Sequence, residues 1–153
     1  MSHGIRVPGN ARVGPAEREK RLERHYKPYH TAIHHLLEEG WHRVLVSVHT
    51  FSQELDSAKG DFDIGIRFND YESLAEDFAR RLTDANFSVR MNEPLSGRSE
   101  IISSAQRHGT RHGIAYFEIV INQGLVSSRR AALTIGQRLT PVVQWLGEFC
   151  ANS

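Results

Sequence analysis

Residues 43–51, with the sequence RVLVSVHTF, decide the fold of this chain. Four of the first six residues are apolar and three of these are valine, which suits a strand buried on both faces in a parallel sheet covered by helices. The run ends at His49, and ligands of open α/β sheets bind outside the carboxyl ends of the strands. His49 is therefore a candidate metal ligand or catalytic imidazole. An inert, hydrogen-bonded histidine at a strand end fits the same pattern.

A second apolar run, residues 114–121 (IAYFEIVI), contains one charged residue, Glu118, among seven apolar ones. An unpaired buried carboxylate is costly, so such a group is usually paired, bound to a metal or kept for chemistry. A structural ion pair with Arg107 or Arg111 is one interpretation, and a functional carboxylate is the other. Like His49, Glu118 lies in the second half of its strand, so parallel strands would bring both side chains to one edge of the sheet.

A long amphipathic helix is predicted to begin at Pro15, with a kink at Pro28 and an end at Gly40. Its apolar stripe repeats at steps of four and three residues: Leu22, Tyr26, Tyr29, Ile33 and Leu36. Three residues on another part of the helix lie four apart and could chelate zinc: His30, His34 and Glu38. Because they lie off the stripe, we expect them to face solvent, and a metal sensor built on them is the least favoured function.

The order of helices and strands along the chain predicts an α/β fold with a layered, mixed and mostly parallel sheet of about four strands flanked by helices. Residues 1–14 read as a coil lead-in and residues 15–153 as a single domain. The pattern further predicts a half-buried strand at 62–68, a helix at 71–84 and a short strand at 86–90. A helix at 103–108 is predicted to end at Gly109. A final helix is predicted to be capped by Ser127 and Ser128 and kinked at Pro141.

Composition narrows the functional classes. The 19 basic and 18 acidic residues nearly balance, which argues against a dedicated nucleic-acid binder. No apolar stretch approaches the ~20 residues of a membrane span, so we expect no membrane partner. Cys150 is the only cysteine and cannot form an intramolecular disulfide, which makes a cytoplasmic location the default expectation.

Short motifs along most of the chain resemble those of the N-formylglutamate amidohydrolase family. They are VPGN at 7–10, YKPYH at 26–30, VSVHTF at 46–51, NEPLSG at 92–97, RHG at 107–109 and Glu118-Ile119. The resemblance implies the C-terminal part of a zinc carboxypeptidase/aspartoacylase-like (phosphorylase/hydrolase-like) fold. It also implies zinc-dependent hydrolysis of the N-acyl amide of an acidic amino acid, giving formate and the free amino acid.

The resemblance also implies roles for individual residues. His49 corresponds to a zinc ligand, and Glu118 corresponds to the general base that takes a proton from the zinc-activated water. Asn92, Ser96 and His108 would contact the substrate, a small N-acyl amino acid.

The family's first strand, with its paired histidine and carboxylate ligands, has no counterpart in this sequence, and neither has its Asn-Arg pair. We therefore expect an incomplete family domain that lacks the N-terminal half and whose other zinc ligands are not present in this chain. The alternative function is a non-catalytic relative that acts as an oligomerising or binding module.

Overall fold

The computed structural model describes Gly9 and residues 12–40, 42–52, 62–93 and 103–152. The chain divides into two units, Met1–Gly40 and Trp41–Ser153. The sequence analysis assigns residues 15–153 to one domain, and this assignment stays a prediction.

The first unit is helical. Helix α1 spans Pro15–Arg21, a π-helical turn spans Leu22–Tyr26, and helix α2 spans Lys27–Glu39. The predicted helix is therefore present, and it ends before Gly40 as expected. Its π-helical turn ends at Tyr26, two residues before Pro28. Pro28 has no N–H to donate, and a proline ring clashes with the carbonyl four residues earlier. The N–H of Lys27 bonds to the carbonyl of Leu22, five residues back, which is π-helical spacing.

The second unit contains a four-stranded mixed sheet, as predicted. Its strands are β1 (Val44–Phe51), β2 (Ile64–Arg67), β3 (Val89–Met91) and β4 (Ala115–Asn122). In space they follow the order β1-β4-β2-β3. The β1–β4 and β2–β3 pairs are parallel, and β2 runs antiparallel to β4.

Among the described residues, three α-helices accompany the sheet: α3 (Glu72–Asp84), α4 (Ser104–His112) and α5 (Arg129–Asn152). One face of the sheet forms the hydrophobic core with α3 and α5. The core includes Ile64, Ile66, Phe78, Leu82, Phe117, Ile119, Leu139 and Leu146. The N–H of Ala131 donates to Ser128 Oγ at 3.2 Å, so the predicted cap of α5 is confirmed. None of the described helices is both long and apolar enough to cross a membrane.

The prediction that β1 is buried on both faces is wrong. Within the described sheet β1 is an edge strand, and Val48, His49 and Thr50 are exposed. The strand that is buried along its whole length is β4, which has a neighbour on each side. Valine content predicted the strand correctly, but the position of a strand in the sheet depends on long-range pairing that composition does not encode.

The predicted end of the fourth helix at Gly109 is also wrong, because α4 continues to His112. Gly113, at φ 64°, provides the left-handed C-terminal residue instead. A Cβ at Gly109 would lie 2.4–2.7 Å from side-chain atoms of Tyr116. Gly109 therefore permits α4 to pack closely on β4.

Candidate functional site

A row of three polar residues crosses the middle of the sheet. Ser47 of β1 lies opposite Glu118 of β4, and Glu118 lies opposite Arg67 of β2. Residues directly opposite each other on neighbouring strands point to the same face, so the three share the face that lies away from the core. We call Ser47, Glu118 and Arg67 the polar row.

The buried carboxylate of Glu118 is paired with Arg67. Arg67 Nη1 donates to Glu118 Oε2 at 2.7 Å, and the side chains are 16% and 6% exposed, respectively. A charge-assisted hydrogen bond of this length offsets part of the cost of burying the carboxylate. An arginine partner was one interpretation of Glu118, with Arg107 or Arg111 as the candidates. The observed ion pair is instead formed with Arg67.

His49 lies on the same face as the polar row, two residues beyond Ser47 along β1. The spacing of neighbouring strands and the rise along a strand place the Cα atoms of His49 and Glu118 about 8 Å apart. The imidazole is exposed, and its Nε2 lies 3.2 Å from Ser47 Oγ. Parallel strands therefore bring His49 and Glu118 to one face and near one another, although their chemical roles stay predictions.

Glu118 and Arg67 line a small, open cleft with a volume of about 20 Å³. Its other described lining residues are Phe68, Asn69, Ser103, Gln106 and Tyr116. Tyr116 donates its hydroxyl proton to Asp70 Oδ2 at 2.8 Å. Burial, and to a smaller extent this hydrogen bond, raise the pKa of Tyr116, so its hydroxyl stays protonated at neutral pH.

Of the predicted substrate-binding residues, the two that the structure describes do not line this cleft directly. Asn92 and His108 are not among its described lining residues, and Ser96 lies outside the part of the chain that the structure describes. Asn92 adopts a left-handed conformation, φ 57°, and its Oδ1 accepts from the N–H of Phe68 at 3.1 Å. His108 is 3% exposed within α4. Their predicted roles in substrate binding remain predictions.

The described residues do not by themselves fit a zinc site. No group of three histidine, cysteine, aspartate or glutamate side chains among them could hold a metal ion. On α2, His34 Nε2 lies 3.1 Å from Glu38 Oε1, and His35 Nδ1 lies 3.8 Å from Glu38 Oε2. These contacts do not bring three side chains around one position, as the three protein ligands of a catalytic zinc ion require.

Sequence reasoning missed Arg67 and Tyr116 as parts of the site. Arg67 had a usable signal, because it is a charge within an alternating strand and points away from the apolar face of that strand. Tyr116 gave no such signal, since a tyrosine in an apolar strand is usually read as core.

The model of the N-formylglutamate amidohydrolase family matches residues 3–127 of this chain. The chain belongs to the N-formylglutamate amidohydrolase family. The matched region contains all of the polar row and His49. No protein of curated function matches the chain.

Two solved structures share the fold. A gene product of Agrobacterium tumefaciens superposes with a TM-score of 0.82 at 23% identity, over 95% of this chain and 59% of that chain. An N-formylglutamate amidohydrolase from Ralstonia eutropha superposes with a TM-score of 0.70 at 17% identity, over 90% of this chain and 55% of that chain. This member of the family thus spans less than two thirds of the length of these two structures.

Proposed function

We propose that the protein hydrolyses the N-acyl amide of an acidic amino acid such as N-formylglutamate, with Glu118 as the general base. The observation that carries the proposal is the position of Glu118, a buried carboxylate that lines an open cleft in a member of this family. Family membership supports hydrolysis, and the carboxylate at the cleft supports a base at that position.

The surroundings of Glu118 support the chemistry that we propose for it. Attack of water on an amide requires a base to take the proton of the water and an acid to protonate the leaving amine. A carboxylate at the wall of a cleft can first take the proton of the water and then, once protonated, donate it to the leaving amine. Its 4% exposure limits competition from bulk water, which strengthens electrostatic interactions at the site.

We also propose that His49 is one zinc ligand. The described residues do not complete the ligand set, so the remaining ligands must come from outside them. When bound, zinc would supply Lewis-acid polarisation of the acyl carbonyl.

The proposed substrate contacts remain Asn92, Ser96 and His108. Asn92 is connected to the cleft through its hydrogen bond to Phe68, which is a lining residue. His108 lies on α4, whose residue Gln106 also lines the cleft. These connections support contributions by Asn92 and His108 to the shape of the substrate site.

Replacing His49 tests the metal assignment. We expect weak zinc binding by the wild-type protein and a further loss of at least tenfold in affinity for His49→Ala, because second-shell changes alone cost about 10–100-fold and a ligand costs at least as much. Titration calorimetry measures this, with the exposed His42→Ala as the matched control. Equal zinc affinities of wild type and His49→Ala would contradict the assignment.

A second candidate function is self-association through β1, and we propose a second copy of this chain as the partner. The observation that favours it is the open edge of β1 within the described sheet, where Val48 is 59% exposed. An exposed apolar edge strand is a template for pairing with another strand.

Val48→Lys is expected to convert a self-associated form to monomer, because a lysine on an edge strand opposes strand pairing. Light scattering after size-exclusion chromatography measures the mass. Leu133→Lys on α5 is the matched control, since Leu133 is also 59% exposed. A wild-type protein that is monomeric at all concentrations would contradict this second function.

A further inference from the structure

We infer that Arg67 is a positioning residue that fixes the Glu118 carboxylate in the cleft. The inference rests on the proposed function, in which Glu118 is the base. Arg67 Nη1 donates to Oε2 at 2.7 Å, and in this inference the second oxygen, Oε1, accepts the proton of the attacking water.

The backbone supports this role because Arg67 lies directly opposite Glu118 on the neighbouring antiparallel strand. Asn92 holds the chain on both sides of Arg67. Its N–H donates to the carbonyl of Ile66 at 2.7 Å, and its Oδ1 accepts from the N–H of Phe68 at 3.1 Å. These two hydrogen bonds fix the backbone on either side of Arg67, from which its side chain extends.

Burial strengthens the attraction between Arg67 and Glu118. The Arg67 side chain is 16% exposed and that of Glu118 is 6% exposed, so water screens their attraction weakly. A general base must lie within hydrogen-bond reach of the proton that it removes, and a small misplacement costs rate. Fixing one oxygen of the carboxylate reduces its rotation without filling the cleft.

Steady-state hydrolysis of N-formyl-L-glutamate by the full protein tests the inference. Because Arg67 acts through Glu118, Arg67→Met is expected to lower kcat by about 10²-fold, at the low end of the range for a general base, with little change in KM. The double variant Arg67→Met/Glu118→Gln is expected to be no slower than Glu118→Gln alone, because the two residues act as a unit. Arg90→Met, an exposed arginine of β3, is the matched control and should leave kcat unchanged.

Arg67→Lys is the second variant if Arg67→Met fails to fold. It keeps a cation but loses the planar fork, so it should recover part of the lost kcat. Losses that multiply in the double variant, or a large rise in KM in either Arg67 variant, would overturn the inference. Such results would show that Arg67 acts on the substrate directly.

A crystal structure of the Arg67→Met variant, which has no cation beside Glu118, separates this inference from the proposed function, because it needs no turnover. A displaced Glu118 carboxylate supports positioning by Arg67 even if the wild-type protein releases no formate. A carboxylate that keeps its place in the variant overturns the inference even if the wild-type protein is active.

Discussion

Arg67→Met is expected to lower the free energy of unfolding by about 3–5 kcal/mol, because it leaves the buried Glu118 carboxylate without its cationic partner. This is a large fraction of the total stability of a domain, which is about 5–15 kcal/mol. The cost comes mainly from desolvation of the remaining charge, not from the lost attraction alone. Chemical denaturation monitored by circular dichroism measures the change.

The double variant Arg67→Met/Glu118→Gln provides the control for this prediction. It removes both charges, so it should recover most of the stability that Arg67→Met loses. Arg90→Met changes an exposed arginine and should stay within about 0.5 kcal/mol of wild type. A loss below about 1 kcal/mol in Arg67→Met would mean that the carboxylate is well solvated without its partner, which contradicts the burial described above.

The elements that the sequence predicted best are those with a strong local pattern. The helix predicted at 71–84 is α3, and its Phe78 and Leu82, four residues apart, lie in the core. The apolar run around Glu118 is the fully buried central strand β4. Local periodicity predicts such elements because a buried face must repeat every two or 3.6 residues.

The errors arise where distant parts of the chain meet. The edge position of β1 and the pairing of Glu118 with Arg67 both depend on strand order, and Arg67 is 51 residues from Glu118 in sequence. Gly109 resembled a helix end, but its role is set by contact with Tyr116 on β4. The site was predictable in part because a lone carboxylate in an apolar strand requires an explanation, whereas the cleft around it requires the assembled sheet.

Glu118→Gln is expected to lower kcat for hydrolysis of N-formyl-L-glutamate by about 10²–10⁴-fold, the usual contribution of a general base. Glutamine has nearly the same shape, and its side-chain oxygen can still accept from Arg67. This hydrogen bond offsets part of the cost of leaving the arginine without its anion, so we expect the variant to fold. Substrate affinity, measured by calorimetry, should change little. Glu76→Gln on α3, an exposed residue, is the matched control and should match wild type.

Formate release from N-formyl-L-glutamate by zinc-supplemented wild-type, Glu118→Gln and Glu76→Gln proteins, measured side by side, decides whether Glu118 is the base. We expect steady release by wild type and Glu76→Gln, and near-background release by Glu118→Gln. Equal rates in wild type and Glu118→Gln, or a folded wild-type protein that releases no formate, would contradict the assignment of Glu118 as the base of an amidohydrolase.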